Sequence, residues 1–285
     1  MRRLAVLREL PDRRASAGPT GLARLGVGAA AIVEVSEVMP LLHRLHDPSL
    51  VTAPRIAGLP TLPAAGVGLF LGIWVLAALA FCVGWNTRPA GTVLSGLLIY
   101  TLALDHQLYT NHLYLMALLT VLLTLADSGA AVSVDSRRKG RPLTIPAWPV
   151  VLIRLQVSIV YLFAAVAKLN VMYLSGLVLR YQLRLPGLDS IPPALFALAA
   201  IGSVLTELFL GLAFWNRRLR PVACVVGVGF HLTILITMRV MPDLLTFALL
   251  MGSAYLSFFS SISSAPVRQP ASRGRLEATP EGAAG

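Results

Sequence analysis

Lys168 and His112 are the residues of this sequence best suited to acid–base chemistry, because both fall at the ends of long apolar runs. An ionisable group in hydrocarbon is costly unless it has a partner, a wet cavity or a place at the boundary. An amine in an apolar pocket gives up its charge more readily than in water, and a neutral amine is a base. Other polar residues stand in similar runs: Glu34 and Glu37 one helical turn apart, Arg154, Glu207, His231, and Asn111 directly before His112. Arg154, Tyr161 and Lys168 recur at seven-residue spacing and so share one helical face. Each also has a plainer reading. Lys168 could be a snorkelling anchor, Tyr161 a packing aromatic, and His112 a helix-start residue. Glu207 could pair with Arg154 or His231, and Glu34 and Glu37 could pair with basic groups or face a wet cavity.

The elements that must hold these residues are membrane spans. Of 285 residues 56% are hydrophobic and 13% charged, too apolar for a water-soluble core of this size. About 20 apolar residues cross a bilayer as a helix. About eight such spans are expected, over Leu22–Leu42, Ala64–Trp85, Pro89–Leu108, His112–Ala126, Ala147–Lys168, Pro193–Trp215, Leu219–Met238 and Pro242–Ser260. The fold class is therefore an all-α integral membrane bundle. It is preceded by a basic segment over 1–21 and followed by a tail over 261–285 rich in Pro, Ser, Gly and Arg, as a disordered segment would be. No removable signal peptide is expected.

The net charge of +11 would point to nucleic acid in a soluble protein, but here it reads as topology. With both termini cytoplasmic, 16 Lys and Arg residues fall in the inner segments, among them Arg13, Arg88, Arg137 and Arg217. Only five fall outside, Arg44, Arg55, Arg180, Arg184 and Arg239. The partner is then the lipid bilayer, in a multi-pass cell-membrane protein, and no nucleic acid is expected. On this topology Lys168 and His112 lie at the same outer level and could meet. Cys82 and Cys224 each sit inside an apolar run, so neither a disulfide framework nor a metal site is expected.

Three segments in order resemble the HTTM family, the membrane domain shared with vitamin K-dependent gamma-carboxylase: TNHLYLMALLTVLLTLADSGAAVSVD, RLQVSIVYLFAAVAKLNVMYLSG and TELFLGLAFWNRRLRPVACVVGVGFHLTILI. They cover about residues 105–260, while the first two spans are similar only in hydropathy and position. The resemblance implies that Lys168 stands where the catalytic lysine does and His112 where the Asn-His histidine does. Asn111, Tyr161, Glu207 and His231 follow as pocket or cofactor-binding residues. It also implies that the cofactor is a hydroquinone, menaquinol or vitamin K hydroquinone, deprotonated by an amine and oxidised. Ala167 replaces the first of the carboxylase's paired lysines, and Tyr173 stands where it has tryptophan. No extramembrane segment is long enough to form a substrate domain, so protein carboxylation by this chain alone is not expected. Small bacterial members suggest the inner membrane, and an alternative role as a non-enzymatic partner or maturation and export factor for a secreted peptide. A third reading, a transporter using Glu34, Glu37 and Glu207, lacks the repeated halves such proteins show.

Overall fold

The computed structural model describes residues 10–49, 51–140, 143–184, 186–238 and 242–263. Residues 1–9, Arg141, Arg239 and the tail from 264 onward lie outside them, so the expected disorder of the tail and the placement of those arginines do too.

The described chain is mostly helical. Strand β1 (Arg14–Ser16) leads into helices α1 (Gly18–Arg44), α2 (Ala64–Val83), α3 (Thr87–Leu104) and α4 (Asn111–Leu125). A short helix α5 (Val134–Lys139) and strand β2 (Thr144–Pro146) precede α6 (Ala147–Ala167). Two short helices, α7 (Val171–Leu174) and α8 (Leu177–Gln182), connect α6 to α9 (Pro193–Ala213). Helices α10 (Arg220–Thr237) and α11 (Pro242–Tyr255) complete the bundle, α11 running on into a 3-10 turn over Leu256–Phe259.

Six helical segments among the described residues are long and apolar enough to cross a membrane: α1, α2, α6, α9, α10, and α11 with its 3-10 extension. Helices α3 and α4 occupy the other two expected positions but fall outside that set, α4 because it has only 15 residues. The third span ends earlier than expected. At Asp105 the chain turns extended and the carboxylate accepts the Gln107 and Ala53 backbone N–H groups at 2.8 and 2.6 Å. Large apolar side chains point outward along the long helices, with Leu69, Phe163, Val225 and Ile236 all more than 70% exposed. Such a girdle is tolerable against lipid and a liability in water.

Helix α1 is the hub, packing most extensively against α2 and α11. Small residues allow the approach. A Cβ added at Gly26 would fall 2.0 Å from Ser253 Oγ on α11, and one at Gly28 would fall 2.6 Å from Cys82 Cβ on α2. One end of the bundle is tied by backbone. Strand β1 pairs antiparallel with β2, and Ala15 also bridges Ile262 beyond α11. The start of α1, the start of α6 and the end of α11 therefore meet at one face.

Two buried arginines close helix ends near that face. Arg24, with no solvent exposure, donates to the Phe81 and Cys82 carbonyls at the end of α2 and to Val132 O at 2.6 Å. Val132 is held in the left-handed region at φ 50°, unusual for a β-branched residue. Arg154 donates to Ser257 O at 2.7 Å and Ser260 O at 2.5 Å, satisfying carbonyls the helix end leaves open. Asp135 of α5 in turn accepts from the backbone N–H groups of Asn86 and Thr87, 3.1 and 2.8 Å away, at the start of α3.

Gly28→Val should lower thermal stability in detergent by about 1–3 kcal/mol, the usual cost of forcing atoms into a packed contact. Gly96→Val, where an added Cβ meets nothing within 4 Å, serves as the control. Equal melting temperatures for the two variants would refute the close α1–α2 approach.

Candidate functional site

Lys168 directly follows α6, so its side chain leaves the helix at the end remote from β1 and β2. Its Nζ lies 2.5 Å from Oε1 of Glu207, which projects from the middle of α9. Helices α6 and α9 pack closely along their length, and Gly211 lets Leu162 seat against α9. Glu207 is buried, and its second oxygen, Oε2, is buried without a hydrogen-bond partner. Lys168 keeps 26% of its side chain exposed, and its Nζ stands 5.4 Å from the centre of the Tyr173 ring. Tyr173 is itself held by Ser203, hydroxyl to hydroxyl, at 2.8 Å.

Beside this ion pair lies a second polar group. The Tyr161 hydroxyl is 2.9 Å from His231 Nε2 and hydrogen-bonds the Tyr255 hydroxyl, joining α6, α10 and α11. All three residues are buried. Gly227, one turn before His231, makes the room: a Cβ there would fall 2.8 Å from the Tyr255 hydroxyl oxygen. Lys168, Glu207, Tyr161 and His231 all line one cavity of about 310 Å³, whose remaining wall includes Phe230, Ile234, Met238 and Phe247. A volume near the lower end of small-molecule sites, apolar walls and a few convergent polar groups are the features of a binding pocket.

His112 is elsewhere. It is the second residue of α4, and its Nε2 lies 3.2 Å from Glu34 Oε1 and 2.8 Å from Glu37 Oε2 on α1. It is not among the residues lining the Lys168 cavity. The expected meeting of Lys168 and His112 is thus corrected. They share an end of the bundle, but each is claimed by an acid on the helix it packs against, Glu207 on α9 for Lys168 and the Glu34–Glu37 pair on α1 for His112. Asn111, the first residue of α4, is exposed and lies outside the cavity as well. The expected pairing of Glu207 with Arg154 or His231 is likewise replaced by Lys168, since the Arg154 guanidinium is taken up by carbonyls at the end of α11.

A comparison with protein families matches residues 13–259 to the HTTM domain. The chain belongs to the HTTM domain family. No solved structure matches it. The match reaches back through α1 and α2, whose residues resemble the family only in hydropathy and position. The HTTM chain is therefore a polytopic membrane protein of the carboxylase-related family. Phe230, Phe247 and Gln182 of the HTTM pocket, and Tyr255 behind Tyr161, were not singled out in the sequence. The signal the sequence offers for Tyr255 is a phenol within an apolar run.

Glu207→Leu strands the Lys168 ammonium and should cost about 1–3 kcal/mol, less than the roughly 3–5 kcal/mol of a fully buried pair, because Lys168 is part-exposed. The double variant Lys168→Met/Glu207→Leu should regain most of that loss in thermal unfolding. A double variant no more stable than Glu207→Leu alone would show that the two side chains are not coupled.

Proposed function

We propose that the Lys168 cavity takes a hydroquinone of the menaquinol or vitamin K type and that Lys168 receives a proton from its hydroxyl group. The observation that carries this reading is Glu207: a buried carboxylate with one oxygen on Lys168 Nζ and the other, Oε2, without a donor, at the wall of an apolar cavity. A ligand hydroxyl supplies the missing donor, and Phe230 and Phe247 offer faces for a ring. When bound, such a ligand supplies an acidic hydroxyl and two electrons for an oxidation by dioxygen.

The chain's own residues provide the base. With the pair's proton on the Glu207 carboxylate, Lys168 Nζ is a neutral amine able to take up another proton. While that proton is on Nζ the ammonium is balanced by the ligand's oxyanion. Its return leaves the amine and the carboxylic acid, whose own proton then passes from Glu207 to Nζ to restore the ammonium–carboxylate pair, so the cavity with its ligand stays neutral throughout. His231, Tyr161 and Tyr255, with Tyr161 in the middle, form an adjoining chain of imidazole, hydroxyl and hydroxyl along which protons can pass. Phe230, Ile234, Met238 and Phe247 keep water away from the exchange.

We infer also that the chain crosses the cell membrane eight times with both ends cytoplasmic. The arginine clusters support this, as does the backbone pairing of Ala15 with both Ile145 and Ile262, which calls for an even number of crossings between β1 and β2 and again between β2 and Ile262.

Purified protein in lipid nanodiscs should bind a menaquinol or vitamin K hydroquinone analogue, and Lys168→Ala should abolish oxygen-dependent turnover while leaving helical content unchanged. Undiminished turnover in Lys168→Ala removes the base. Absent binding, with normal function of a Lys168→Ala strain, favours instead a membrane partner or maturation factor for a secreted peptide.

In intact cells a membrane-impermeant maleimide should label Ser190→Cys and spare Ser136→Cys until the membrane is opened. The reverse pattern would invert the topology.

A further inference from the structure

The acid-rich cluster around His112 is independent of the Lys168 cavity and differs from it in charge. Glu34 and Glu37 are three residues apart on one face of α1, which α4 covers with His112. One donor atom from each of the three residues lies within 4.8 Å of the other two. His112 Nε2 faces three oxygens at once: Glu34 Oε1 at 3.2 Å, Glu37 Oε2 at 2.8 Å and Thr110 Oγ1 at 3.1 Å. A ring nitrogen carries at most one hydrogen and cannot satisfy all of them. Glu34 is 1% exposed, and its other oxygen, Oε2, is buried with no hydrogen-bond partner.

The charges do not balance either. Among the described residues no lysine or arginine forms an ion pair with Glu34 or Glu37. Asp243, at the start of α11, lies beside Glu37 and adds a third acid. Two carboxylates around one imidazole stay net negative even if the imidazole is protonated, and such a surplus is costly away from water.

We propose that Glu34, Glu37 and His112 bind a divalent first-row transition-metal ion between α1 and α4. Carboxylates suit Mn²⁺ and imidazole suits the later first-row ions, so a mixed set of two carboxylates and one imidazole accepts such a dication with positions left for other ligands. An ion about 2.1 Å from each of two adjacent donors sets them about 3 Å apart, which is the spacing His112 Nε2 has from each glutamate oxygen. The dication cancels the two carboxylates, leaves the imidazole neutral, and gives Glu34 Oε2 a counter-charge. No metal spacing is visible in the sequence because the three ligands come from two helices with α2 and α3 between them, Glu37 and His112 being 75 residues apart.

The test uses the full chain in nanodiscs, stripped with chelator and titrated with Mn²⁺. Loss of the free Mn²⁺ electron-resonance signal should reach equimolar uptake, and the wild-type melting temperature should rise with Mn²⁺. Glu34→Gln and His112→Asn should each weaken uptake by at least the roughly 10- to 100-fold seen when a supporting group is lost, while Lys168→Gln should bind as wild type. Wild-type protein that takes up no Mn²⁺ and does not shift its melting temperature overturns the proposal, protons then balancing the cluster. Uptake undiminished in both ligand variants overturns it too. If Glu34→Gln does not fold, the wild-type melting shift and His112→Asn decide the matter alone.

Discussion

Hydrocarbon offers no partner to a charge or to an open carbonyl, and the packing of this bundle follows from where each buried polar group finds one. Arg24 of α1 takes the carbonyls at the end of α2, and Arg154 of α6 takes those beyond α11. Lys168 and Glu207 tie α6 to α9, His112 with Glu34 and Glu37 ties α4 to α1, and Tyr161 with His231 and Tyr255 ties α6 to α10 and α11. Apolar side chains pack as well against lipid as against each other, so they cannot select neighbours with this specificity. The polar contacts can.

Small residues make those contacts reachable. Gly26 and Gly28 bring α11 and α2 onto α1, and Gly211 brings α6 onto α9 where Lys168 and Glu207 pair. Gly227 does the same for the tyrosine pair, since any side chain there would displace the Tyr255 hydroxyl from Tyr161. The glycines that matter are thus one helical neighbourhood away from the chemistry, which links packing to the site without any direct contact with a ligand.

The two polar centres differ in the way that bears on function. The Lys168 centre holds one base and one acid, neutral as a pair, against an apolar cavity large enough for a ring. The His112 centre holds more acid than base, with Glu34 and His112 buried and Glu37 part-exposed. A balanced pair can exchange a proton internally, whereas a surplus of negative charge calls for a cation. One chain therefore carries two polar centres of different electrostatic character at the same end of the bundle.

Much of this was legible in the sequence. The apolar runs marked the helices to within a few residues, because the length of hydrocarbon to be crossed is set by the bilayer. Lys168, Glu207, Tyr161 and His231 stood out because ionisable and polar groups are rare in such runs, and all four do line one cavity. The misassigned partners share one cause. Whether Lys168 meets His112 or Glu207 depends on which helix lies beside α6, and helical periodicity describes the face of a helix without saying what it faces. The sequence by itself determined which segments are helices and which residues need partners. Only the tertiary structure decided who the partners are, because a buried charge can be satisfied by any complementary group that packing brings within about 3 Å.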